Sequence, residues 1–238
     1  KAMAESYDPR RIKRTILAMM DYANKFTSAD TPAEKRDLPS ALLMWTALIQ
    51  ELTGKQYDDK SEAARVVATM MQRAAQHESP KYAHPGQDPQ IAIVIWDTLL
   101  GIANVLEQVQ RGQAGRIMRT VADATANDPN LARRTQMYLG TVPASTPRIF
   151  LRCSILYHAR DFDGVLQYAN ETGNTSPLVH EIRAEALRKL SRFDEALAEA
   201  DAVLRECDHD LQATWALETK LNALACKGYV KLRQGVLE

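Results

Sequence analysis

The sequence predicts an all-α protein: a helical bundle followed by a short solenoid of helix–turn–helix units. Three observations carry this. Hydrophobic residues make up 45% of the 238 positions and aromatics only 6%, with Ala, Leu and Met plentiful, side chains that lose little freedom in a helix. Apolar residues recur at spacings of three and four through most of the chain, while β-branched runs are short and alternation is rare. One phrase is also written nearly twice, "DFDGVLQYANETG" at 161–173 and "RFDEALAEADAVL" at 192–204. The count comes to roughly eleven or twelve helices.

Pro9 can open a first helix carrying Ile12, Ile16, Leu17, Met19, Met20 and Ala23. Thr31-Pro32 reads as a further start, with Thr31 as N-cap. Pro39 disfavours helical angles at Leu38, so the main helix is expected near Pro39 to Leu52, closed by Gly54. A helix over 58–76 follows, with Ala64, Val67, Ala68, Met71 and Ala75 on one face. "SPKYAHPGQDP" at 79–89 holds three prolines and is the expected subdomain boundary. The organisation read from this is a bundle over 1–78, a linker at 79–89 and a repeat region over 90–238.

"QIAIVIWDTLLGIANVLEQVQ" at 90–110 contains Asp97, Asn104 and Glu107, too many polar groups for a membrane span, so it reads as one core helix. A helix over 113–126 follows, then a short one closed near Gly140. "TVPASTP" at 141–147 is a second break, after which the repetition begins.

An offset of 31 residues places Arg152 on Arg183, Leu156 on Leu187, Phe162 on Phe193, Asp163 on Asp194, Leu166 on Leu197 and Ala169 on Ala200. The best units are 146–176 and 177–207. In the second, Val179, Ile182, Ala186, Leu187 and Leu190 form one stripe. Ser191-Arg192 turns the chain, and Ala196, Leu197, Ala200, Val203 and Leu204 form another. Neither helix can bury its stripe alone, so the pair must pack on itself and on neighbours. A further helix beyond Asp208 is expected to carry Leu217, Leu221 and Leu224.

The unit resembles a tetratricopeptide repeat (TPR), whose period is about 34 residues. The matching positions are Ala184, Leu187, Phe193, Ala196 and Val203, with Cys153, Leu156, Phe162, Val165 and Thr172 in the same places upstream. The chain departs from the family pattern in its shorter period, in Arg183 where Leu is usual, in Val165 for the small residue, and in Asp208 where Pro closes the unit. The resemblance implies a groove lined by the first helix of each unit that binds a peptide or helix of another protein. Carried over, that groove is Phe150, Ser154, Tyr157 and His158 in one unit and Glu181, Glu185, Arg188 and Lys189 in the next. These residues lack the Lys and Asn of the family's chaperone-tail clamp, so binding of a chaperone C-terminus is not expected.

Thirty basic residues balance thirty acidic ones, which argues against nucleic acid as the general partner. Arg10, Arg11, Lys13 and Arg14 form a basic patch on the first helix that could meet RNA, acidic lipid or an acidic protein. Cys153, Cys207 and Cys226 are too scattered for a disulfide framework. With no signal peptide visible, the expectation is a reducing, cytoplasmic setting. Cys207-Asp208-His209-Asp210 lacks the second cluster a structural zinc needs, so no metal and no cofactor are expected. His158 with Asp161 and Asp163 has no nucleophile motif or phosphate loop beside it. The expected function is therefore non-catalytic: an adaptor or scaffold subunit binding another protein. A client-holding secretion-type chaperone and a binder acting through the basic first helix are the alternatives.

Overall fold

The computed structural model describes residues 9–54, 59–78, 86–110, 112–209 and 214–235, and of 9–13, 208–209 and 214–218 the backbone alone. Twelve α-helices and no strands occur among the described residues. They divide into two compact units, the first ending at Gln110 and the second beginning at Arg111.

The first unit contains α1 (Pro9–Thr27), α2 (Leu38–Thr53), α3 (Lys60–Glu78), α4 (Pro89–Gly101) and α5 (Ala103–Val109). The Thr31-Pro32 signal yields only a 3-10 turn, Ala33–Lys35. Asp37 caps α2 instead, its carboxylate accepting from Ser40 N at 3.2 Å. In α3 the buried face is Ala63, Val66, Val67, Met70, Ala74 and His77, one position off the face expected from sequence. Ala63 and Ala74 lie on one face of this helix and Ala64, Ala68 and Ala75 on the neighbouring one, so the period alone does not choose between adjacent registers. The 90–110 segment is two helices bent by 75°, because Gly101 ends α4 and Ile102 leaves helical geometry. No single described helix is long and apolar enough to cross a membrane; α4 and α5 pass that test only as a bent pair. Ile91, Ile93, Ile95, Trp96 and Leu99 are buried, and α4 packs on α3 and α2. That packing draws α4 and α5 into the first unit, so the division falls at Gln110, past the proline-rich stretch at 79–89.

Two polar clamps tie this unit together. Arg36 donates to the carbonyls of Thr31, Ala29 and Gly86 at 2.8, 3.1 and 2.6 Å. A Cβ at Gly86 would fall 1.9 Å from the Ala29 carbonyl, so only glycine fits there. His77, fully buried, donates from Nε2 to Thr27 O at 2.8 Å and accepts at Nδ1 from Asp88 N at 3.1 Å.

The second unit contains α6 (Gln113–Asn127), α7 (Pro129–Leu139), α8 (Thr146–His158), α9 (Phe162–Thr172), α10 (Pro177–Lys189), α11 (Phe193–His209) and α12 (Thr214–Gln234). The hairpins α8–α9 and α10–α11 keep the 31-residue offset in atomic detail. Ser145 and Ser176 occupy equivalent N-cap positions. Arg160 and Ser191 both adopt left-handed backbone, φ 62° and 61°. The turn bonds repeat as well: Arg160 N to Tyr157 O and Asp161 N to Leu156 O in one, Ser191 N to Arg188 O and Arg192 N to Leu187 O in the other. These close the helix carbonyls that have no partner of their own. Even the cross-hairpin side-chain contact recurs. Arg152 stacks on Tyr168 at 4.3 Å, and its equivalent Arg183 bonds Glu199, the equivalent of Tyr168, at 2.7 Å. One core runs through both hairpins and α12, built on Cys153, Val165, Ala169, Ala184, Ala196, Ala200, Val203, Cys226 and Val230. Small residues at the contacts bring the helices close.

The helix expected beyond Asp208 is α12, and its smaller side chains, not its leucines, form the buried face. The buried face is Thr219, Ala223, Cys226 and Val230, whereas Leu221 and Leu224 are 56% and 47% exposed. The helix is apolar on two opposite faces, and the smaller side chains win the interior because α12 sits close against α10 and α11. The side chain of Leu217 lies outside the described residues.

Candidate functional site

The first helices of successive hairpins, α8 and α10, lie next to each other, and α12 lies next to α10. Side chains from all three meet in one row. The Tyr157 hydroxyl on α8 faces Glu185 and Arg188 on α10. Arg188 in turn donates through Nε to Glu185 at 3.0 Å and stacks over the Tyr229 ring of α12 at 4.6 Å. Arg233 approaches the same ring at 6.0 Å. One turn along, Asn222 of α12 donates to Glu181 of α10 at 2.6 Å. At the other end, Tyr157 packs edge-on against His158 and Phe162, with centroids 5.7 and 5.4 Å apart.

Burial, followed by the Glu185 charge, raises the Tyr157 hydroxyl above its ordinary range, so it stays protonated as a donor. The Glu185 hydrogen bond raises Arg188 further above its already high value. The row is thus a planar cation stacked on the Tyr229 ring and fixed by the Glu185 carboxylate, with the Tyr157 hydroxyl facing both and few rotamers left to lose on binding. Rigid aromatic and Arg side chains of this kind make effective recognition anchors.

The expected groove residues divide into two groups. Tyr157, Glu181, Glu185 and Arg188 are half-buried in this row, and His158 and Lys189 are exposed at its margin. Phe150 and Ser154 are 9% and 2% exposed and lie inside the unit. Helix α8 is flanked by α6 and α7 as well as by α9 and α10, which covers its N-terminal half. Tyr229, Asn222 and Arg233 join the site without having been expected. The 31-residue register is lost after Asp208, so no equivalence pointed to them. The one available signal was Tyr229 and Arg233 four residues apart in a helical stretch.

The remaining candidates stay separate from this row. Arg14 is exposed on α1, and the side chains of Arg10, Arg11 and Lys13 lie outside the described residues, as do those of Asp208, His209 and Asp210. His158 also lines a cleft with Arg133, Gln136 and Ile155. Asp161 near it is used as the α9 cap, accepting from Gly164 N at 2.9 Å. Among the described residues, no three His, Cys, Asp or Glu side chains are placed to hold a metal. Burial pushes the Cys153 thiol up to about 12 and the Cys226 thiol up to about 11, which keeps both as unreactive core thiols.

The sequence matches no protein-family model, no curated protein and no solved structure.

Proposed function

We infer that the chain is a non-catalytic protein–protein interaction module, an adaptor or scaffold subunit whose second unit is a short TPR-like solenoid. The single observation behind this is the row Tyr157–Glu185–Arg188–Tyr229, which spans α8, α10 and α12. A partner peptide or helix lying across those three helices would meet aromatic faces, a fixed guanidinium and the exposed polar margin of His158 and Lys189. Main-chain carbonyls and acidic side chains of such a segment suit the Arg188 fork. The test is affinity capture with the intact chain, followed by mass spectrometry, beside Tyr157→Ala and Arg188→Ala. A specific partner that both variants lose, with helicity by circular dichroism unchanged, supports the reading; a partner retained by both overturns the assignment of the surface.

A client-holding chaperone is a second reading, favoured by an apolar groove of about 230 Å³ between α1 and α2. Ile16, Met19, Ala47, Leu48 and Leu52 line it, with Glu51 at its edge. Met19→Lys should abolish protection of an aggregating client in a light-scattering assay if this groove is the holding surface.

A further inference from the structure

The outer face of α12 carries an apolar stripe that no described residue covers. Leu221, Leu224 and Leu232 are 56%, 47% and 64% exposed, and Ala225 and Gly228 lie exposed between them. At 100° per residue these five share one side of the helix, opposite the buried Thr219, Ala223, Cys226 and Val230. The leucines therefore cannot reach the chain's own core by any small adjustment. Gly228 is the centre of the stripe, and a Cβ there would have nothing within 4 Å. A glycine in an exposed helix interior is disfavoured relative to alanine. It leaves a notch where a second backbone can approach closely, flanked by leucine side chains.

The charges beside the stripe select the occupant. Lys220, Lys227 and Lys231 follow one flank, seven and then four residues apart, with Lys227 paired to Asp201 at 2.5 Å, and Arg233 lies on the other, toward the Tyr229 ring. The sequence of α12 holds these four basic residues and one acidic residue, Glu218. A second copy laid antiparallel on this face would set lysine flank against lysine flank, which the charge opposes. The geometry points to an amphipathic helix of another protein, with leucine-type residues on one face and Glu or Asp along its edges, docking on the outer face of α12. Its apolar ridge would lie over Leu221, Leu224 and Leu232, its backbone crossing nearest at Gly228, and its carboxylates would meet the exposed Lys231. This face is distinct from the Tyr157–Arg188 row, and its test uses no residue of that row, so either assignment can fail alone.

The probe is a fluorescein-labelled synthetic helix of α12's own length, 21 residues, with Leu at heptad a and d positions and Glu elsewhere. A counterpart carries Lys in place of Glu. Fluorescence anisotropy against the intact chain should show saturable binding of the acidic peptide. Leu221→Gln with Leu232→Gln should weaken it at least about tenfold. Gly228→Gln, which removes no packing and only fills the notch, should do the same. Lys231→Gln should weaken it and flatten its dependence on salt. Three results overturn the proposal: equal binding of the Lys peptide, binding indifferent to the leucine and Gly228 changes, or sedimentation showing a dimer that Leu221→Gln with Leu232→Gln dissolves. The last would make a second copy the occupant.

Discussion

His77 bridges three segments with one ring: the end of α1, its own helix and the start of α4. Both ring nitrogens are committed, Nε2 as donor and Nδ1 as acceptor. Burial is the largest influence on this group and lowers its pKa, with Arg36 and Arg73 acting in the same direction against Thr27 O and Asp88. Protonation would also place an N–H at Nδ1 against the Asp88 N–H. Since the folded value is depressed, the unfolded chain binds more protons as pH falls through the ordinary histidine range near 6.5. The associated stability is complete above that range and is lost progressively below it. Melting of the intact chain from pH 8 to pH 5 should show a falling midpoint, less so in His77→Leu. That variant should itself be about 1–3 kcal/mol less stable at pH 8, because it orphans the Thr27 carbonyl and the Asp88 N–H.

Arg160 and Ser191 supply a second test at single residues. Each sits at a left-handed turn position where a side chain is unfavourable by roughly 1–2 kcal/mol. Glycine there removes the strain but gains freedom in the unfolded chain. The net expectation for Ser191→Gly is stabilisation of up to about 1 kcal/mol in urea unfolding, with unchanged slope.

Between α8–α9 and α10–α11, equivalent positions do the same job with different chemistry, and this decides what a mutation costs. Asp161 caps α9 through Gly164 N. A Cβ on Gly164 would fall 2.3 Å from the Asp161 carboxylate, so cap and glycine belong together. In the next unit Arg192 and Glu195 stand at those places and form an exposed ion pair at 2.7 Å. Asp161→Ala should therefore cost about 1 kcal/mol, while Arg192→Ala should leave the urea midpoint nearly unmoved. Comparison of the two single variants checks this directly.

The same element scale explains what could be read from sequence. The hairpins were legible because their apolar stripes, turns and the Phe162/Phe193 pair repeat in register. The α3 face was displaced by one residue because alanine satisfies either register. The α4–α5 bend was hidden because Gly101 lies within a continuous apolar run. In α12 the leucines stand out in the sequence but do not mark the buried face, since Thr219, Ala223 and Cys226 carry little signal despite being buried. Of the candidate site, the α8 and α10 residues followed from the repeat, and Tyr229 could be found only from the packing of α12.

At the scale of the whole chain, each unit buries large apolar side chains of its own. The first buries Trp45, Ile49, Met70, Ile93, Trp96 and Leu99, and the second buries Ile117, Leu131, Leu151 and the hairpin core. Residues 1–110 and 111–238 each fall within the usual range of independently folding domains, about 50–250 residues. Each also has its helix ends tied internally, by the Arg36 and His77 clamps in one and by the repeated turn bonds in the other. The two fragments made separately should thus each be helical and unfold cooperatively in urea. Trp45 and Trp96 are 0% and 1% exposed, so unfolding of 1–110 should shift its tryptophan emission to longer wavelength in one step. The circular dichroism of the fragments should sum to that of the intact chain. A fragment that binds a hydrophobic dye and melts without a sigmoidal transition would show that its core needs the other unit.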